Sequence, residues 1–325
     1  MKLEVHAESW PIAGAFTISR GSKTNADVVV ATVFDEEYKG RGECVPYTRY
    51  GESIAQTVAA LEAMAPRVEA GLTRDALQKL MPPGAARNAL DSALLDHACK
   101  ATATPAHRLL GLPDPVPAVT AFTLSLADPA AMAEAAGDAG TRPVLKLKLG
   151  PDGALERVRA VRKAAPGAAL IVDANEAWDI DALVSMTPEL ASLGVVLIEQ
   201  PLPSDHDDAL AGLRLPVPLC ADESVHGLAS LEGLRDRYQF VNVKLDKTGG
   251  PTEAAQLALK AREQGFGLMI GCMVATSLAM APAFLLTPLA RFVDLDGPLL
   301  LARDRDHAIR YDGSLMHPPS PQLWG

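Results

Sequence analysis

Basic charge is in short supply in these 325 residues: 30 Lys and Arg stand against 40 Asp and Glu, a formal net charge of −10. Nucleic acid and anionic membrane surfaces both require a basic face, so neither is an expected partner. Cysteine is sparse as well. Cys44, Cys99, Cys220 and Cys272 are scattered without CxxC spacing, which excludes a zinc ribbon and disfavours a disulfide scaffold. A reducing compartment, the cytoplasm, fits that usage. The N-terminus has Glu4 and Glu8 where a signal peptide would need an apolar run. No Gly-rich phosphate fingerprint follows a first strand, which disfavours a doubly wound open sheet. One uncharged stretch, residues 264–290, is long enough to cross a bilayer. Gly265, Gly267, Gly271, Pro282 and Pro288 interrupt it, so it reads as a buried strand followed by a buried helix.

The chain is 48% hydrophobic, enough for a large core, and its length suits two domains or a barrel with an attachment. Residues 2–8 and 27–36 read as strands, separated by a polar loop from Ser19 to Asn25. Residues 53–70 and 85–101 have helical periodicity. From about residue 118 short β-type runs alternate with helical stretches. They are VTAFTLSL (119–126), VLKLKLG (144–150), ALIVDAN (169–175), VVLIEQP (195–201), PLCADES (218–224), FVNVKLDK (240–247), GLMIGCM (267–273) and FVDLDGP (292–298). Eight such runs predict a (β/α)8-type barrel. The predicted organisation is an α+β capping domain over residues 1–115, a barrel over 116–300, and a tail over 301–325 that returns to the cap.

Several runs carry charge that a buried strand should avoid. Lys146 and Lys148 are two apart and share one face. Lysines aimed into a barrel are costly unless they meet anions. Asp173, Glu199 and Asp222 stand at the ends of the next three runs, and Lys244 near the end of the sixth. From Lys148 onward the steps are 22–26 residues, one βα unit each. All should converge at the C-terminal mouth, where barrel active sites are built. Taken singly, a strand-end Asp is a loop or helix cap. Three on consecutive strands form an oxygen-only site that suits Mg²⁺. Lys148 and Lys244 lie on the second and sixth strands, across the ring from each other. A carbon held between them has a lysine on each face: one removes a proton and the other returns it on the opposite side, giving the epimer. Lys146 serves as counter-ion and stabilises the negative charge that develops.

The motifs Lys146-Leu147-Lys148, Asp173-Ala174-Asn175, Ile198-Glu199-Gln200-Pro201, Ala221-Asp222-Glu223-Ser224 and Asn242-Val243-Lys244 resemble the enolase superfamily, in its muconate-cycloisomerase-like branch. The resemblance runs through the whole chain and implies a (β/α)7β-type TIM barrel with an α+β cap completed by the C-terminal tail. Asp294-Leu295-Asp296 looks like the Asp-x-Asp signature of dipeptide epimerases, which binds a dipeptide α-ammonium; two carboxylates suit that cation. A second metal site or a pair of capping aspartates are the alternatives. The segments Ser19-Arg20-Gly21-Ser22 and Pro46-Tyr47-Thr48-Arg49-Tyr50-Gly51-Glu52 resemble those of L-Ala-D/L-Glu epimerases, enzymes of murein peptide metabolism. That resemblance implies that Arg20 pairs with the substrate's side-chain carboxylate, with Arg49 a weaker candidate, and that Ser277 lines the substrate channel. It also implies a homo-oligomer.

Rival readings keep the fold and change the reaction to that of o-succinylbenzoate synthase or muconate cycloisomerase, or make the barrel a small-ligand binder without turnover. Asp294 and Asp296 argue against the first and the lysine pair against the second. Lys247 and Glu223 are set aside because strand alternation turns them away from Lys244 and Asp222. His226 is expected to open a helix or face water, and Cys220 and Cys272 to be small core residues.

Overall fold

A computed structural model describes residues 1–325. The chain begins with two long antiparallel strands, β1 (Lys2–Ile18) and β2 (Gly21–Phe34), and a third, β3 (Lys39–Cys44). The segment expected as a polar loop is instead the tip of the β1–β2 hairpin. Ile18 pairs with Gly21 and Phe16 with Lys23, so the turn is only Ser19-Arg20, and Ser22 to Asn25 are strand. Polar side chains concealed this because the tip stands clear of the cap core, where period-two pairing needs no apolar face.

The run from Val28 to Val33 is continuously apolar because both its faces are covered. Val29, Ala31 and Val33 join the cap's own cluster, while Val28 and Val30 join the main core. Helices α1 (Ile54–Glu62), α2 (Ala65–Glu69) and α4 (Ala85–Thr102) pack on this sheet, and α3 (Arg74–Leu80) packs on α4. Ser53 and Thr73 cap α1 and α3 by accepting from Gln56 and Ala76 N–H groups. α4 lies directly on β3. A Cβ at Gly40 or Gly42 would collide with the α4 backbone at Ala93 or Ala89, so glycine is required for that approach. Short α5 (Ala106–Leu109) and β4 (Ala118–Val119) lead into the barrel.

The barrel strands are β5 (Phe122–Leu124), β6 (Val144–Lys148), β7 (Ala169–Asp173), β8 (Val195–Glu199), β9 (Leu219–Ala221), β10 (Phe240–Val243), β11 (Gly267–Gly271) and β12 (Phe292–Asp294). They hydrogen-bond in chain order as one parallel sheet, and the Ala121 N–H bond to Val293 O (2.8 Å) draws the two ends together. All eight expected runs are present. Helices α6 (Pro129–Asp138), α7 (Ala154–Ala164), α8 (Ile180–Ser192), the short α9 (Leu245–Thr248), α10 (Pro251–Glu263) and α11 (Ser277–Phe284) surround them. The connections after β8 and β9 hold only single 3₁₀ turns, Asp207–Leu210 and Leu228–Leu231. Residues 264–290 are strand, loop and buried helix, and no helix is long and apolar enough to cross a membrane.

The C-terminal residues touch both parts. β13 (Tyr311–Asp312) and β14 (Leu315–Met316) form a small sheet with β4. Farther on, Leu323 O accepts from Arg41 Nη2 (2.7 Å), buried Trp324 donates to Ser92 O (3.3 Å), and Gly325 N donates to Asp96 Oδ1 (2.7 Å). Polar side chains on α4 fasten the cap to the barrel. Arg87 donates to Thr248 O (2.6 Å) and pairs with Glu253; Asp91 accepts from Thr252 N (2.7 Å); Asn88 Nδ2 donates to Asp246 Oδ1 (2.8 Å).

Candidate active site

Strand alternation builds the site in layers. On the inward face, Ile171, Leu197, Cys220 and Met269 form a closed apolar cluster. One step nearer the C-terminal ends come Lys148, Asp173, Glu199, Asp222, Lys244 and Asp294, none more than 7% exposed. Charges therefore stand on a dry floor, where electrostatic interactions are strong. Register places Lys148 beside Asp173 and Asp173 beside Glu199.

The ammoniums and carboxylates interlock. Lys148 Nζ donates to Asp173 Oδ2 (2.5 Å) and Lys244 Nζ to Asp222 Oδ2 (2.6 Å). Lys146, one layer lower, reaches Asp294 Oδ2 (2.7 Å), Glu199 Oε2 (2.7 Å) and Asp173 Oδ2 (3.2 Å). Burial alone would lower the Lys146 and Lys244 pKa values, but these carboxylates outweigh it and hold both above the ordinary lysine range. Burial likewise opposes ionisation of Asp173 and Asp222, yet their lysine partners keep both below the usual carboxylate range. Glu199 is raised, by burial and then by Asp173.

Lys247 and Glu223 belong to the site, contrary to expectation. The chain leaves the strand at Lys244 and enters α9, so an offset of three restores the same face. Lys247 Nζ thus donates to Asp222 Oδ1 (2.6 Å) and Asn242 O (3.0 Å). Gly249, whose left-handed φ of 75° closes α9, was the available signal for a helical turn. Glu223 follows the end of β9, where alternation no longer applies; it faces the cavity and accepts from Arg20 Nη2 (2.8 Å). Burial, then Asp222, pushes its carboxyl up to about 7.

A cavity of about 430 Å³ opens above this layer, and the β1–β2 hairpin closes over it. Phe16 lies over Lys148, with Nζ 5.8 Å from the ring centroid. Arg20 and Arg49 both line the cavity, but their guanidiniums are engaged by the protein. Arg20 donates to Asn175 O (2.8 Å) as well as Glu223, and Arg49 forks onto Glu176 with two 2.8 Å bonds. Asn175 (φ 45°) and Glu176 (φ 68°) turn through the left-handed region to present these acceptors.

Asp294 and Asp296 both line the cavity. Asp294 Oδ1 is buried without a hydrogen-bond donor, and Asp296 Oδ2 accepts from Thr123 N (2.6 Å). Burial, then Asp294, pushes the Asp296 carboxyl up to about 7. Ser277 does not line the cavity. It is the first residue of α11 and wholly buried, donating to Asp304 Oδ2 (2.5 Å) and accepting from Ile309 N (3.0 Å), because Thr276 and Ser277 spend their hydroxyls on the α11 N-terminus and the tail. His226 is half-buried against Tyr50, and Cys272, just past β11, lines the cavity.

Asp173, Glu199 and Asp222 reach one mouth but, with lysines between them, do not draw together into a three-donor metal cluster. Their chemistry still fits a hard dication: every donor is oxygen, and Glu199 Oε2 has no aligned hydrogen-bond donor, Lys146 meeting it outside bonding angles. Charge agrees. With Glu223 paired to Arg20, Asp173, Glu199, Asp222 and Asp294 face four buried ammoniums, and Asp296, pushed up to about 7, adds a partial charge. If one lysine is neutral, as a base must be, the excess is between one and two negative charges.

Comparison with known proteins places this arrangement. Residues 1–111 match the mandelate racemase / muconate lactonizing enzyme N-terminal domain, and residues 128–320 the enolase C-terminal domain-like family. The chain is 46% identical over 318 residues to L-Ala-D/L-Glu epimerase of Escherichia coli (strain K12), covering 97% of this chain and 99% of that protein. It is 44% identical over 302 residues to N-acetyl-D-glutamate racemase of Pseudoalteromonas sp, covering 92% and 95%. Among solved structures, an enolase family member from Agrobacterium tumefaciens, with homology to dipeptide epimerases and bound sodium and L-Ala-L-Glu, superposes with a TM-score of 0.97 at 53% identity, over 100% of this chain and 99% of that one. A dipeptide epimerase from Enterococcus faecalis complexed with Mg and L-Leu-L-Tyr gives 0.92 at 26% identity, over 99% and 98%. The chain belongs to the mandelate racemase / muconate lactonizing enzyme family of the enolase superfamily.

Proposed function

We propose that the chain is a Mg²⁺-dependent dipeptide epimerase that inverts the α-carbon of the C-terminal residue, with L-Ala-D/L-Glu as substrate. The observation that carries this is the pair Lys148 and Lys244, on the second and sixth strands of the eight, both lining one cavity whose wall carries Asp294 and Asp296. A substrate α-carbon between the two ammonium nitrogens meets one lysine on each face. For one epimer, neutral Lys148 takes the α-proton while protonated Lys244 delivers one to the opposite face; for the other epimer the roles exchange, which requires that Lys244 lose its proton once a dication offsets the carboxylates that otherwise hold it. Lys146, kept protonated by three carboxylates, is a fixed cation beside the developing charge. When bound by Asp173, Glu199 and Asp222, the dication supplies positive charge to the substrate carboxylate as the α-carbon loses its proton.

The α-ammonium of the dipeptide goes to Asp294 and Asp296. The donor-free Asp294 Oδ1 supports this, since a buried carboxylate oxygen gains most from a charged N–H donor. An N-acetylated glutamate offers one neutral N–H there and suits the position less well. We place the protein in the cytoplasm, where its four free cysteines stay reduced.

The test is proton NMR in D₂O with Mg²⁺, using L-Ala-L-Glu, L-Ala-D-Glu and N-acetylglutamate. Loss of the Glu α-proton with appearance of the other diastereomer is the expected result for the dipeptides. Turnover of N-acetylglutamate alone would transfer the same two-lysine chemistry to an N-acyl amino acid. If nothing exchanges in a wider dipeptide panel, the dipeptide assignment is wrong.

A further inference from the structure

Six cations line the cavity: Arg20, Lys23, Arg49, Lys146, Lys148 and Lys244. Five of them are ion-paired to carboxylates of the protein. Arg20 is held by Glu223 and Glu176, Arg49 by Glu176, and the three barrel lysines by the acidic cluster. Lys23 alone has no carboxylate partner and makes no hydrogen bond through its side chain.

The hairpin register aims Lys23 at the cavity. It pairs across the strands with Phe16, and cross-strand partners project from the same face. Phe16 lies over Lys148, so that face looks down onto the reacting side of the site. The neighbouring pair, Thr17 and Ser22, bond each other (2.9 Å), while Lys23 makes no such bond. Lys23 Nζ stands 5.5 Å from the Tyr47 ring centroid, a contact that holds its direction without neutralising its charge. Arg20, by contrast, already has donors on Asn175 O, Glu223 and Tyr47 OH (3.2 Å). Redirecting it to a ligand would strip buried Glu223 of its counter-ion, which is costly.

We infer that Lys23, and not Arg20, reads the side-chain carboxylate of the substrate's C-terminal residue. This rests on the dipeptide reading above and names the residue that makes that site prefer Glu. Arg20 is then a positioning residue, tying the hairpin tip to the loop after β7.

Calorimetric binding of L-Ala-Glu and of L-Ala-Gln, whose side chain is uncharged, each supplied to the Mg²⁺-loaded protein as its equilibrated mixture of epimers, tests the assignment by a readout other than turnover. In Lys23→Met the preference for the Glu dipeptide should fall about tenfold, the scale of one charged hydrogen bond, and Lys23→Arg should retain it. Arg20→Met should weaken both ligands alike, because it loosens the hairpin. A preference unchanged in Lys23→Met, or one lost selectively in Arg20→Met instead, overturns the inference, as does a wild-type protein with no preference for the acidic dipeptide. A wild-type protein that binds L-Ala-L-Glu through Lys23 yet exchanges no α-proton overturns the epimerase reading and leaves the role of Lys23 standing.

Discussion

Each of the two lysines proposed as acid/base can be interrogated alone, because the barrel puts them on separate strands. Lys148→Ala should lower epimerisation about 10²–10⁴-fold while α-proton exchange in D₂O persists from the epimer that Lys244 faces. Lys244→Ala should show the mirror pattern. Retention of inversion in both variants would remove the two-lysine mechanism. At this scale most of the site was legible in the sequence, since Lys146, Lys148, Asp173, Glu199 and Asp222 obey strand alternation and one-unit spacing. The misreadings fell where alternation ends. Lys247 lies on a helical turn, Glu223 beyond a strand end, and Ser277 at a helix start that consumes its hydroxyl. Arg20 lines the cavity, but the partners that engage its guanidinium come from residues 175 and 223, far away in sequence, which the sequence does not disclose.

Between elements, the cap depends on backbone contact and on buried polar fasteners. Gly42→Ala should cost about 3 kcal/mol, the upper part of the range for overpacking, because its Cβ would strike Ala89 O and Ser92 on α4. Urea denaturation measures it, and a change near zero would mean that β3 and α4 part easily. Asp246 gives a pH prediction. Burial pushes its carboxyl up to about 7, although Asn88 Nδ2 and Val45 N both donate to Oδ1. The folded state therefore holds a proton that the unfolded state releases near pH 4. This group's contribution to stability is full below that value and is lost as pH rises through 7. Asp246→Asn keeps both acceptor bonds and removes the titration. Its stability relative to wild type should rise by about 1 kcal/mol per pH unit between pH 5 and 7; a flat difference would show that Asp246 ionises freely. The barrel strands were readable in the sequence because each is a short apolar run between helical stretches. The hairpin tip was not, since pairing between polar residues leaves no hydrophobic signature.

For the molecule as a whole, the negative charge excess at the mouth predicts linkage between metal and folding. Mg²⁺ at about 100 times its Kd should stabilise by about 2.7 kcal/mol, raising Tm by several degrees, and EDTA should reverse it. A Tm that responds to Mg²⁺ no more than to NaCl would deny Asp173, Glu199 and Asp222 their role. Docking of the C-terminal residues onto α4 and β3 has a different kind of consequence, in time. Burying an indole of roughly 200 Å² at about 25 cal/mol per Å² is worth about 5 kcal/mol, comparable to the entire margin of a typical domain. The cap sheet and helices leave the ribosome first, but Trp324 follows more than 200 residues later. At about 5–20 residues per second, that is an interval of roughly 10–40 s. During it the nascent cap has an open apolar slot on α4, and a chaperone or a neighbouring nascent chain competes for the place that Trp324 will take.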